Sequence, residues 1–151
     1  MNDRVQITRL HELPPGIERL RADAARQGFR FIERLVSECT SGTNAFGQPG
    51  ERMLGAFADG MLVGVGGLNR DPYVNDPATG RMRHLYVHSD YRGQGIGRAI
   101  VDHLLKDARP TFSQVRLRTD TEEAAKFYLR CGFSPRSEPD ASHGLHFGPR
   151  K

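Results

Sequence analysis

The segment Leu85-Tyr86-Val87-His88-Ser89-Asp90-Tyr91-Arg92-Gly93-Gln94-Gly95-Ile96-Gly97-Arg98 carries the densest chemical signal in the chain. It takes a short apolar strand through a glycine-rich turn directly into an amphipathic helix. The first N–H groups of a helix lack partners within it, and the aligned peptide dipoles favour negative charge at that end. Such a turn is a phosphate cradle. Gly93, Gly95 and Gly97 remove side chains that would hold a diphosphate away from those donors. Arg92 and Arg98 stand on either side to add charge-assisted hydrogen bonds, and Gln94 and Ile96 complete the loop.

Two rival phosphate motifs fail on single residues. A dinucleotide fingerprint GxGxxG starting at Gly93 needs glycine at position 98, where Arg98 stands. A P-loop needs Gly-Lys-Ser or Gly-Lys-Thr, whereas Gly97 is followed by Arg98-Ala99. The plainer alternative is a connector that binds nothing, but three alternating glycines bracketed by arginines are an inefficient way to make a turn.

Periodicity supplies the elements that must position this loop. Val5 to Leu10 alternates apolar and polar residues as a half-buried strand does. Pro14-Pro15 opens a helix on which Ile17, Leu20 and Ala24 recur until Gly28, and a second helix places Phe31, Ile32, Leu35, Val36 and Cys39 on one face. A polar loop covers residues 40–50. Apolar runs between Met53 and Leu68 flank Asp59-Gly60, a pair suited to a tight hairpin turn. Residues 71–80 form an exposed loop, and a strand covers about 82–88. Ile100, Val101, Leu104, Leu105 and Ala108 stripe the next helix until Pro110, and a further strand covers 115–119. Ala124, Phe127, Tyr128 and Cys131 stripe a last helix that Gly132 closes, and Leu145-His146-Phe147 adds a short edge strand. The order predicts an α/β fold, a mixed sheet with helices on both faces.

The 151 residues, with ordinary apolar and charged fractions, suit a single domain over 1–151. No run approaches the roughly 20 apolar residues of a membrane helix, and Met1-Asn2-Asp3-Arg4 lacks the layout of a signal peptide, which places the chain in the cytoplasm without a membrane partner. Cys39 and Cys131 have no metal-ligand spacing and read as buried free thiols. The net charge of +4, largely arginine, favours phosphate-bearing partners. Nucleic acid fits less well, because the arginines are dispersed and tryptophan is absent. The sequence specifies no oligomer, although a homodimer is compatible with it.

Here the chain resembles the GCN5-related N-acetyltransferases (GNAT). Their coenzyme A signature is Arg or Gln, two residues, Gly, one residue, then Gly or Ala, and Arg92-Gly93-Gln94-Gly95-Ile96-Gly97 matches it. The segment from Ala124 to Phe133 looks like the family's closing helix, Ala, three residues, Tyr, three residues, Gly-Phe. The resemblance is specific from about Met82 to Phe133 and fades beyond. It implies a mainly antiparallel sheet of six to seven strands whose fourth and fifth splay apart, with acetyl-coenzyme A as cosubstrate in the wedge. On that reading the backbone of Leu85, Tyr86 and Val87 bonds the pantetheine amides, the diphosphate sits on Arg92 to Arg98, and Tyr128 protonates the departing thiolate. On spacing alone, Tyr128 reads as a core residue of its helical stripe, and the catalytic role comes from the resemblance.

The chain departs from the family where a carboxylate often serves as base or acceptor contact. Arg81 and Arg116 occupy those positions, and a guanidinium cannot act as a base. Thr121 replaces an asparagine often found seven residues before the tyrosine. His84 is the titratable candidate for a base, against a water chain that needs no side chain. Arg81 and Arg116, sharing strand parity with Arg83 and Arg118, suggest an acceptor with an anionic group or, equally, arginines that contact coenzyme A phosphates or acidic surface residues. His143 and His146 form an HxxH without a third ligand and read as surface histidines, so no metal is expected. The expected function is acetyl transfer from acetyl-CoA to a primary amine, a small molecule in preference to a protein, by direct attack. The alternatives are a non-catalytic coenzyme A sensing module and an unrelated nucleotide-phosphate binder.

Overall fold

A computed structural model describes residues 5–29, 31–41, 46 and 48–147. The elements follow in the order β1 (Val5–Leu10), α1 (Ile17–Arg26), α2 (Phe31–Ser41), β2 (Arg52–Ala58), β3 (Met61–Arg70), β4 (Thr79–Val87), a short 3-10 turn at Ser89–Tyr91, α3 (Ile96–Ala108), β5 (Gln114–Leu117), α4 (Glu122–Arg130), β6 (Ser134–Glu138) and β7 (Ala141–His146). One seven-stranded sheet runs β1-β2-β3-β4-β5-β7-β6. Every neighbouring pair is antiparallel except β4–β5, which is parallel and crosses over through α3. A mixed, mainly antiparallel sheet with helices on both faces is therefore what the chain builds.

Each element has a local cause. Asp59 and Gly60 take φ of 50° and 80°, the left-handed pair that lets β2 turn into β3 without splaying them. Thr121 caps α4 by accepting a hydrogen bond from the Ala124 N–H at 3.2 Å. The same helix ends in a Schellman closure, with Gly132 at φ 100° and the Phe133 N–H donating to the Tyr128 carbonyl.

Two cores lie on opposite faces of the sheet. Ile17, Leu20, Ile32 and Leu35 of α1 and α2 pack on Met53, Leu62, Val65 and Tyr86. On the other face Ile96, Ile100 and Leu104 of α3 meet Leu54, Ala56, Val63 and Leu68, with Tyr128, Cys131 and Phe133 alongside. Gly66 makes this second layer close: a Cβ there would lie 2.6 Å from Ile100 Cγ2.

The seam between β4 and β5 matters most for the site. Pairing is confined to Thr79↔Gln114, Gly80↔Val115 and Arg81↔Arg116. Opposite, between the Val65↔Tyr86 and Gly67↔Arg83 pairs, His84 and Leu85 face Gly66 alone. That bulge, with His84 at φ 58°, bends β4 where it parts from β5. The backbone of 82–87 is thereby left without a strand on its β5 side, which is the expected splay.

Several expectations change. β4 begins at Thr79, earlier than the apolar run suggested, and β5 ends at Leu117 rather than at 119. The tail is a hairpin: β7 is interior between β5 and β6, and β6 forms the edge. The strand expected at Leu145 to Phe147 is thus not an edge strand. Helix α2 absorbs residues 40 and 41, while 42–45 and 47 of the expected loop lie outside the described residues. Cys131 is a buried free thiol, and the Cys39 side chain lies outside the description.

Candidate active site

The splay opens a groove of about 1190 Å³ that runs from the glycine loop along the unpaired edge of β4 to the start of α4. It gathers most of the residues expected to do chemistry. Arg81, His84, Leu85, Tyr86 and Val87 line it from β4. Arg92, Gly93, Gly95, Ile96, Gly97 and Arg98 line one end, and Tyr128 a side. Gln94 and Arg116 are not among the lining residues.

Gly95 caps α3 at φ 80°, and Gly93 is left-handed as well at φ 78°. Successive N–H groups therefore converge over the start of α3, and a Cβ at either glycine would meet nothing within 4 Å, so the space above the loop is open. Arg92 braces this loop. Its Nε donates to the Val87 carbonyl at 3.0 Å, its Nη1 donates to Gln27 Oε1 at 2.8 Å, and the guanidinium lies 5.2 Å from the Tyr86 ring centroid. Arg98, half exposed, lies 3.7 Å from Asp102 one turn on.

Behind the loop is a residue that periodicity did not single out. Asp23, 2% exposed, accepts hydrogen bonds from the Tyr86 hydroxyl, from the Ser89 N–H at 2.9 Å and from Ser89 Oγ at 2.7 Å. Arg26 and Gln27 donate to it at 3.1 and 3.2 Å. Burial alone would raise the Asp23 carboxyl, but the Tyr86 and Ser89 hydrogen bonds hold it well below the usual carboxylate range. The same burial and the Asp23 bond push the Tyr86 phenol upward. Tyr86 is thus pinned through its side chain while its backbone faces the groove. An acid one turn beyond Leu20, on the stripe of Ile17, Leu20 and Ala24, was the available signal.

Tyr128 is 8% exposed, with Phe127 and Phe133 edge-on at 5.1 and 5.6 Å between ring centroids. Burial, with a smaller contribution from Cys131, raises its phenol above the ordinary range, so it holds its proton at neutral pH. It is both a core residue and a groove residue, and the two readings of its stripe are compatible. His84 is 8% exposed and edge-on to Phe46 at 6.2 Å.

Arg116 is not where an acceptor contact belongs. It is 2% exposed: Nε donates to Asp71 at 2.9 Å, Nη1 to Glu138 at 2.6 Å and Nη2 to Asp140 at 2.9 Å. Burial would lower its pKa, but the Asp71, Asp140 and Glu138 bonds raise it above the usual arginine value. This guanidinium ties β5 to loop 71–78 and to the β6–β7 turn, and the expectation of an acceptor contact is withdrawn on that ground. Arg81 shares Asp71 at 3.4 Å and stacks 4.6 Å from the Tyr73 ring centroid, so it reaches the groove from the rim of the same cluster. His143 is buried rather than on the surface, beside Ser142 Oγ at 2.9 Å. Its position three strand residues from His146 sets the two on opposite faces of β7.

A parallel seam that opens into a groove, with a glycine-capped helix at one end and a buried phenol at its side, can receive an extended molecule that carries a phosphate at one end. Residues 49–135 match the family model described as an acetyltransferase (GNAT) domain. The chain is 31% identical over 117 residues to the N-alpha-acetyltransferase RimI of Mycobacterium tuberculosis, covering 75% of this chain and 73% of that one. A crystal structure from Exiguobacterium sp. 255-15 superimposes with a TM-score of 0.84 at 28% identity, covering 94% and 93% of the two chains. A GNAT family acetyltransferase from Brucella melitensis, in complex with acetyl-CoA, does so at 0.69 and 19% identity, covering 99% and 92%. The chain belongs to the GNAT acetyltransferase family. No helix among the described residues is long and apolar enough to cross a membrane.

Proposed function

We propose that the chain transfers the acetyl group of acetyl-CoA to a primary amine by direct attack. The observation that carries this reading is the continuity of one groove from the glycine cradle, past the unpaired edge of β4, to Tyr128. The diphosphate sits on the N–H groups at the start of α3. The extended, amide-bearing pantetheine arm pairs with the β4 backbone at Leu85, Tyr86 and Val87, as an added strand would, and the same donors polarise the thioester carbonyl. The amine nitrogen bonds to the carbonyl carbon, the C–S bond breaks, and Tyr128 gives its proton to the sulfur. The phenol is then restored by the proton the amine loses through water, with His84 the imidazole on that route. A thiolate released beside Tyr128 meets the same desolvation, which raises its own proton affinity and lets a phenol of raised pKa serve as donor.

The test is free-thiol release from acetyl-CoA over a panel of amines. Acetyl-CoA is expected to raise the melting temperature far more than ATP or NAD does. Gly95→Glu is expected to abolish that shift in a folded protein, because bulk and negative charge enter the cradle and φ 80° is strained for glutamate. Tyr128→Phe is expected to lower kcat on the order of 100-fold and to leave the acetyl-CoA KM nearly unchanged. Stabilisation by acetyl-CoA without thiol release from any amine supports the coenzyme A sensing alternative instead. A folded Gly95→Glu protein that bound acetyl-CoA like the parent would show the cradle to be misplaced. Similarity to a relative named N-alpha-acetyltransferase RimI supports a second reading, in which the acceptor is the α-amine of a peptide. Peptide amines therefore belong in the panel.

A further inference from the structure

We propose that the acceptor carries an aromatic ring at a distance from its amine, and that this ring stacks on Tyr73 at the end of the groove remote from the glycine cradle. The inference rests on acetyl transfer taking place in that groove. Tyr73 lies in the connection between β3 and β4, lines the groove and is 57% exposed. A large aromatic side chain left that far in water forgoes most of the burial that ordinarily stabilises it.

The exposure is not that of a loose loop. The Tyr73 N–H donates to Asp71 Oδ1 at 2.8 Å, and buried Asp71 is held in turn by Arg116 at 2.9 Å and Arg81 at 3.4 Å. The far side of the connection is tied by Asp76, which accepts from the Ala78 N–H and from the Thr79 hydroxyl, both at 2.9 Å. Pro72 and Pro77 fix two further φ angles in the same stretch. The Arg81 guanidinium, itself buried, lies 4.6 Å from the Tyr73 ring centroid. One face of the ring is thus backed by a fixed cation, and the rest is presented to the groove. A platform ordered during folding asks no ordering entropy of its ligand.

Its position selects the acceptor over the coenzyme. Arg81 precedes Val87 by six strand residues, roughly 20 Å at the usual strand rise, and the cradle begins only after Val87. A pantetheine arm running from the cradle along Val87, Tyr86 and Leu85 stops short of Tyr73. Leu85 itself is four residues from Arg81, roughly 13 Å. What meets Tyr73 is therefore the far end of an acceptor whose amine stands at the thioester. The platform's chemistry then narrows the class. A second aromatic ring gains an offset or edge-on contact beyond the area it buries, whereas a saturated group gains the area alone. A cation on the open face would oppose Arg81 across the ring.

Thiol release is measured for phenylalkylamines of increasing chain length, each against its cyclohexyl counterpart, which has a similar outline without the π-system. Peptides with phenylalanine or with leucine near the start carry the same comparison to α-amines. The best phenyl acceptor is expected to show about fivefold higher kcat/KM than its cyclohexyl counterpart. Tyr73→Leu is expected to bring that ratio near one and Tyr73→Phe to keep it, with acetyl-CoA KM moving less than about threefold in both. A ratio near one in the parent protein, or a ratio that Tyr73→Leu leaves intact, overturns the proposal while acetyl transfer stands. An effect confined to the coenzyme KM overturns it as well. If no amine releases thiol, acetyl transfer itself fails, and the platform is read by melting of the coenzyme A-loaded protein. A larger shift with the phenyl than with the cyclohexyl amine, removed by Tyr73→Leu and kept by Tyr73→Phe, supports the platform. Equal shifts, or none, end it.

Discussion

The groove is held at its two ends by buried ions of opposite sign. At the glycine end a single carboxylate, Asp23, gathers the Tyr86 hydroxyl, Ser89, Gln27 and Arg26. At the seam end a single guanidinium, Arg116, gathers Asp71, Glu138 and Asp140. The first knot is built mostly from neutral donors that satisfy one charge, so it fixes local geometry: Tyr86 below, Ser89 beyond, and Arg92 through Gln27. The second is built from full charges brought together from three segments, so it fixes topology. A knot of neutral donors trims an element, whereas a knot of ions decides which elements meet.

That contrast is open to attack from both sides. Arg116→Ala leaves Asp71, whose side chain is wholly buried, without its main counter-charge, and is expected to cost about 3–5 kcal/mol in urea unfolding. A loss below about 1 kcal/mol would mean that the seam does not depend on this ion. Asp23→Asn is expected to cost less, about 1.5–3 kcal/mol, since an amide still accepts from Ser89 and Tyr86. It should also raise the acetyl-CoA KM, because Ser89 and Gln27 reach the cradle.

The pH dependence of the first knot has a definite sign. The folded Asp23 carboxyl sits below its unfolded value near 3.9, so its stabilisation is whole above about pH 4 and is lost as pH falls further. Asp23→Asn should therefore flatten stability on the acid side of pH 4, and an acid limb identical to the parent's would remove Asp23 from the account. The guanidinium of Arg116 does not titrate in that range. The smallest effect is expected outside both knots. Asp102→Asn disrupts only the half-exposed Arg98–Asp102 pair at 3.7 Å and should change stability by less than about 0.5 kcal/mol.

What could be read from the sequence follows the range of the interactions. The cradle, its helix and the stripe containing Tyr128 are local patterns, and they appear where periodicity placed them. Strand β6 was not legible, because Ser134 to Glu138 has no alternation, stands mostly exposed and contains a proline that only an edge tolerates. Without β6, the interior strand β7 read as an edge. Arg116 was misread for a related reason: its partners lie 45, 22 and 24 positions away, a separation no spacing rule reaches. Asp23 left one local mark, an acid on an apolar stripe, whose meaning depended on Tyr86 some 63 positions further on.

Three residue pairs join β4 to β5, and α3 is the covalent crossing between those strands. Mechanically, the sheet is two plates sharing a short hinge line. The plate of β1 to β4 is broad and antiparallel throughout, while that of β5, β7 and β6 is narrow and completed late in the chain. Strain applied to the molecule concentrates at that line, and amide protons at 79–81 and 114–116 should exchange as one cooperative group. A molecule lying along the free length of β4 and touching α4 spans the hinge, so occupancy of the groove stiffens the sheet as a staple stiffens two boards.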